Sequence, residues 1–123
     1  MIGFVMVGTN DLDKAINYYD ALLESIDLKR AVTNEKYAGY SSKERPEDIE
    51  FYVTNPANKE KATYGNGTQI SFVVDSKETV DNFYNLGIKL GGKDEGGPGI
   101  RPSVNIIVIW EILMGIKFAH LLK

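Results

Sequence analysis

Along the chain, apolar positions form first a short run, then a helical stripe, then several extended pieces; after a polar interval the series begins again. The first run, "IGFVMV", is rich in β-formers and bounded by Gly8. Leu12, Ala15, Ile16, Tyr19, Leu22, Leu23 and Ile26 follow at three- and four-residue spacings, one apolar face of an α-helix. Asn10 is placed as its N-cap, with Asp11 and Asp13 in the first turn, where they suit the helix dipole. "LKRAVT", "KYAGYS" and "DIEFYVT" read as extended pieces. "NPANKEKATYGNG" is polar and rich in breakers, and marks a module boundary.

Beyond that boundary "TQISFVVD" alternates, with Ile70, Phe72 and Val74 on one face and Gln69, Ser71 and Val73 on the other. "SKETVDNFYNLGIKL" is a second amphipathic helix, capped by Ser76, striped by Val80, Phe83 and Tyr84, and ended by Gly91-Gly92. A shift of 65 residues lays Tyr18-Tyr19 on Phe83-Tyr84, Asn10 on Asp75 and "FVMV" on "QISF". The pattern is a duplicated strand–helix–strands unit.

Composition narrows the partners. The 123 residues fit one domain, with module one at about 1–56, a loop at 57–67 and module two at about 68–123. A net charge of −3 gives no support for a nucleic-acid partner or an anionic membrane surface. With no cysteine, neither a disulfide framework nor thiolate chemistry is available. The N-terminus lacks a basic n-region and a cleavage site, and the charge-free stretch Pro102 to Trp110 is too short for a membrane span. A cytoplasmic location is expected.

"VGTNDL" after the first strand, "AINYY" on the helix and "GNGTQISFVVD" opening the second copy together resemble the vicinal oxygen chelate superfamily. That group holds the glyoxalase, bleomycin-resistance and extradiol dioxygenase proteins. The resemblance covers residues 1 to about 102, and "GGKDEGGPGIRP" is similar to the loop before that family's final strands. It implies an α+β fold of two βαβββ modules forming a curved mixed sheet around a cavity, and a homodimer.

In metal-dependent members of the group a divalent ion is held from the first strand of each module and by a Glu on the last strand. Open sites of that kind leave positions at which substrate oxygens are polarised. The matching positions here are Phe4 and Gln69, which the resemblance sets facing each other across the cavity. Phe carries no donor and Gln is a weak neutral one, so no metal and no cofactor are expected. The residues expected to line the ligand are Phe4, Met6 and Phe51 in module one, and Gln69, Ser71 and Arg101 in module two. An aromatic group opposite an amide suits a small, partly apolar molecule.

The tail "VNIIVIWEILMGIKFAHLLK" departs from the group's pattern, which has a turn close to Gly-Asp-Pro-Asp-Gly-Asn between its last strands. Codon arithmetic accounts for the departure. When the third base of each codon is read with the first two of the next, Trp110-Glu111 must give Gly and Glu111-Ile112 must give Asp or Asn. Met114-Gly115 must again give Gly, and the span from Asn105 to Phe118 accommodates "YYSYMGDPNGNKI". The reading frame is therefore expected to have slipped near Ser103 to Asn105. Even so, "VNIIVIW" is strongly β-forming and "IKFAHLL" alternates, so two strands about a turn near Met114-Gly115 are expected.

Other groups add little. His120 is the single histidine, and Glu111 has no His partner for a metal. One His and no Cys leave nucleophilic triads without support. "GGKDEGGPG" lacks the Gly-Lys-Ser/Thr ending of a phosphate loop and reads as a flexible loop, with Arg101 beside it for an anionic ligand. Three readings stay open: a small-molecule binding protein without metal; a lyase, isomerase or dioxygenase of the same superfamily with an altered site; and a non-functional frameshifted member.

Overall fold

The computed structural model describes the backbone of residues 1–63, 65, 68–94, 99–101, 104–111 and 117–122, and the side chains of residues 1–63, 65 and 68–92. The chain divides into two compact units, Met1–Thr63 and Tyr64–Lys123.

The first unit runs β1 (Val5–Gly8), α1 (Leu12–Glu24), β2 (Leu28–Thr33), β3 (Tyr37–Ser42) and β4 (Ile49–Thr54). Its sheet has the order β1-β4-β3-β2. β1 runs parallel to β4, with Val5 beside Phe51 and Val7 beside Val53; the remaining pairs are antiparallel. The predicted amphipathic stripe is the buried one: Ala15, Ile16, Tyr19, Leu22 and Leu23 of α1 are almost fully covered. They pack with Val7, Ala38, Tyr40, Phe51 and Val53 as the core. Burying a side chain such as Phe51 or Leu22 contributes about 1.5–3 kcal/mol.

The N-cap of α1 is Asp11 rather than Asn10. The Asp11 side chain accepts from the Lys14 N–H, and its own N–H is held by the Thr9 hydroxyl. Thr9, Asn10 and Asp11 are all cap-competent in type, so composition alone does not choose among them. Asn10 is engaged elsewhere, accepting from the Ala62 N–H at 2.7 Å and donating to the Ala62 carbonyl at 3.4 Å.

The second unit repeats the plan: β5 (Gln69–Val74), α2 (Lys77–Lys89), β6 (Lys93–Asp94), β7 (Gly99–Arg101), β8 (Val104–Glu111) and β9 (Lys117–Leu122). The order is β5-β9-β8-β6, with β7 also paired to β8, and β5 runs parallel to β9 as β1 does to β4. β6 and β7 pair with different stretches of β8, where module one has the single strand β2. Each helix is 13 residues long, and Leu12–Glu24 maps onto Lys77–Lys89 at the 65-residue shift.

Ser76 caps α2 as expected, accepting from the Thr79 N–H. The helix ends with the Gly91 N–H bonded to the Ile88 carbonyl and the Gly92 N–H to the Gly87 carbonyl. Gly91 has φ +112°, so this paired ending needs a residue without a Cβ there. The tail forms the two strands its alternation predicts, β8 and β9. The expected turn near Met114-Gly115 lies outside the described residues. Among the described residues no helix is long and apolar enough to cross a membrane.

Candidate functional site

Each sheet has one face under its helix and one face turned away. In module one, Phe51 and Val53 alternate with Tyr52 and Thr54 along β4, so successive side chains leave by opposite faces. Phe51 is 1% exposed and its ring centre lies 5.1 Å from that of Tyr19 on α1. Phe51, expected among the ligand-lining residues, therefore faces the helix, and Tyr52 takes the face turned away. Three consecutive apolar residues, Phe51-Tyr52-Val53, give no alternation from which the inward face could be read.

Phe4 and Met6 lie on the face turned away and remain 55% and 49% exposed. Phe4 meets Tyr52 edge-on with centroids 5.0 Å apart, and Tyr37 meets the same ring edge-on at 5.7 Å. Beneath them is Gly39. A Cβ there would come within 2.8 Å of Tyr52 Cε1, 2.8 Å of Val32 Cγ2 and 2.9 Å of Ile49 Cγ2. The open face is thus a sheet surface of Phe4, Met6, Val32, Tyr37, Ile49 and Tyr52 settled around a glycine. A glycine between two strand tyrosines was the sequence signal for this arrangement, but its contacts come from β2 and β4, remote in the chain.

In module two, Phe72 packs toward α2, its ring centre 6.0 Å from that of Phe83, and Val74 is buried. Gln69, Ser71 and Val73 occupy the opposite face; Gln69 Nε2 donates to Ser71 Oγ at 3.5 Å, and Val73 is 61% exposed. Backbone register puts Gln69 beside Lys117 and Lys117 beside Glu111, while His120 pairs with Phe72. Arg101 stands at the end of β7, in register with Val104. The side chains of Arg101, Glu111 and His120 lie outside the described ones.

Among the described residues, the two positions that the resemblance matches to metal donors do not fit a divalent ion. At the two first-strand positions stand a hydrocarbon ring, Phe4, and a neutral amide, Gln69, already bonded to Ser71. Among the described residues no three His, Cys, Asp or Glu side chains come together.

Displaced ionisation occurs on the helix side of module one and at its rim. Burial raises the Tyr19 phenol well above its ordinary value, and the neighbouring phenols of Tyr18 and Tyr40 add to this. Burial also raises Tyr40, reinforced by its hydrogen bond to Asp20 at 2.9 Å. The other Asp20 oxygen meets Arg30 at 3.1 Å, tying α1, β2 and β3 together. At the rim, a hydrogen bond from Lys43 lowers Glu24, and the same bond raises Lys43. An open cleft of about 330 Å³ between Asn10, Asn55 and Lys61 is floored by the loop that Asn10 holds through Ala62.

Neither protein-family models nor curated protein sequences match the chain. Solved structures do. The crystal structure of a glyoxalase/bleomycin resistance protein from Albidiferax ferrireducens T118 is 34% identical, with a TM-score of 0.88 over 100% of this chain and 98% of that one. A glyoxalase/bleomycin resistance protein/dioxygenase family enzyme from Burkholderia phytofirmans PsJN is 15% identical, with a TM-score of 0.74 over 96% and 94% of the two chains. Lactoylglutathione lyase from Agrobacterium tumefaciens is 14% identical, with a TM-score of 0.71 over 100% and 93%. The last two likenesses show the fold alone.

Proposed function

The chain belongs to the glyoxalase/bleomycin resistance family, and from that premise we propose that it binds a small, partly apolar molecule on its open sheet faces without a metal. The observation that carries this reading is the pair Phe4 and Met6, large apolar side chains half open to solvent on a face from which the family's first metal donor is missing. Exposed apolar surface of this kind is costly to leave in water, and a ligand with matching area relieves it. Gln69 and Ser71 supply an amide and a hydroxyl for orientation. A homodimer and a cytoplasmic location belong to the same proposal. So does a slipped frame from about residue 103, because the family's own turn is the one that the neighbouring frame accommodates.

The test is binding in the presence of a chelator, followed by the Met6 methyl and the Gln69 side-chain amide in NMR spectra. Small apolar probes are expected to shift both signals, with no further change on adding Ni²⁺, Zn²⁺, Mn²⁺ or Fe²⁺. A saturable rise in melting temperature with one of these ions, or probe binding only after its addition, would overturn the metal-free reading.

A further inference from the structure

We infer that the molecule taken by module one is planar and aromatic, seated against the ring of Tyr52. This rests on the ligand-binding reading above and narrows it to a chemical class.

Phe4, Tyr37 and Tyr52 bring three aromatic rings to the open face, and Tyr52 joins the other two: Phe4 at 5.0 Å with 72° between planes, Tyr37 at 5.7 Å with 75°. Edge-on rings set the positive rim of one against the negative face of another, and a further flat ring extends the same pattern by an edge or an offset stack. A saturated guest of equal size gains the buried area and nothing from the quadrupoles.

Gly39 fixes the platform. With no Cβ at that position the Tyr52 ring settles onto the backbone of β3, between Val32 and Ile49. The ring is therefore ordered before the guest arrives, and the entropy cost of immobilising it does not fall on binding. The class is also neutral at the contact surface. Phe4, Met6, Val32, Tyr37, Ile49 and Tyr52 carry no formal charge, and their polar handles are the hydroxyls of Tyr37 and Tyr52, which bond to none of the described residues.

The experiment compares naphthol with its saturated counterpart decahydronaphthol, using protein labelled at methionine methyls and tyrosine rings. Naphthol is expected to bind roughly threefold to tenfold more tightly, the worth of about one aromatic pair. Its ring current should move the Met6 methyl upfield. Tyr52→Leu should bring the two alcohols to equal affinity, while Tyr52→Phe keeps the preference. Circular dichroism checks that each variant folds, and Phe4→Leu provides a second reduction of the preference should Tyr52→Leu not fold.

Equal binding of both alcohols at Met6 in the unaltered protein would overturn the aromatic class and leave ligand binding standing. Failure of both alcohols to move Met6 would sink both readings. So would Met6 and Tyr52 signals that change on dilution of the protein alone, because the face would then be covered by a second copy of the chain.

Discussion

Asn10 and Ala62, 52 residues apart, are joined by both polar groups of one backbone unit: the Asn10 side-chain oxygen accepts from the Ala62 N–H at 2.7 Å and its amide donates to the Ala62 carbonyl at 3.4 Å. Ala62 is 7% exposed, and its Cβ lies 3.1 Å from where a Cβ on Gly8 would stand, so this contact docks the end of the first unit onto β1. Asn10→Ala leaves a buried N–H without its acceptor and should cost about 1–3 kcal/mol. Urea unfolding checks the cost, and hydrogen exchange at the Ala62 amide should accelerate more than exchange in β3.

Gly39→Ala should destabilise by about 1–3 kcal/mol, because the added methyl meets Tyr52, Val32 and Ile49 at 2.8–2.9 Å. Gly39→Ala should cost less in a Tyr52→Ala background, since that removes one of the three atoms in the way. A double-mutant cycle by chemical denaturation reads the coupling, and strictly additive costs would show that the strain lies elsewhere.

How much of this was legible beforehand varies by element. Both helices were, because a 3.6-residue stripe begins beside cap-competent residues each time, and the strands LKRAVT and DIEFYVT because β-formers cluster between breakers. The faces of β4 were not. Phe51, Tyr52 and Val53 are all apolar, and a register shift between Tyr40 and Ser41 disturbs the count along β3 and β4, so period-two reasoning had nothing to hold. The N-cap was misplaced by one residue for a different reason: Asn10 is spent on Ala62, a partner that no local pattern reveals.

Alkaline pH should unfold module one through its buried phenols. The ordinary tyrosine pKa is about 10. Tyr19 and Tyr40 are raised above it in the folded chain, chiefly by burial. The unfolded chain therefore loses these protons first, so stability is intact below about pH 10 and falls as pH rises beyond it. Phenolate absorbance should show Tyr19 and Tyr40 ionising only as near-ultraviolet dichroism is lost. Tyr40→Phe should remove one of the late phenols and cost about 1 kcal/mol at neutral pH by breaking the bond to Asp20.

The nucleotide sequence behind residues 105–118 should be open in the neighbouring frame and, at positions that the genetic code leaves free, spell Pro across Ile112-Leu113 and Asn across Gly115-Ile116. Sequencing the gene directly checks this, and a stop codon inside that stretch of the neighbouring frame would end the frame-slip proposal. A chain rebuilt in the restored frame should associate less on concentration, since the apolar run from Val104 to Trp110 is replaced by a more polar one.

The matched spans of α1 and α2 give the molecule an internal comparator. At each pair of positions 65 residues apart, one half records a choice that the other half did not make. Asp11 and Ser76 are different residues performing the same capping, so only the capping was required there. Tyr18 and Phe83 keep an aromatic ring inside each core, so that ring is a demand of the architecture. Phe4 and Gln69 agree in nothing but their place. Where twin halves diverge in chemistry, the scaffold does not dictate the residue, and on the proposed ligand-binding reading these are the positions left for a ligand to select.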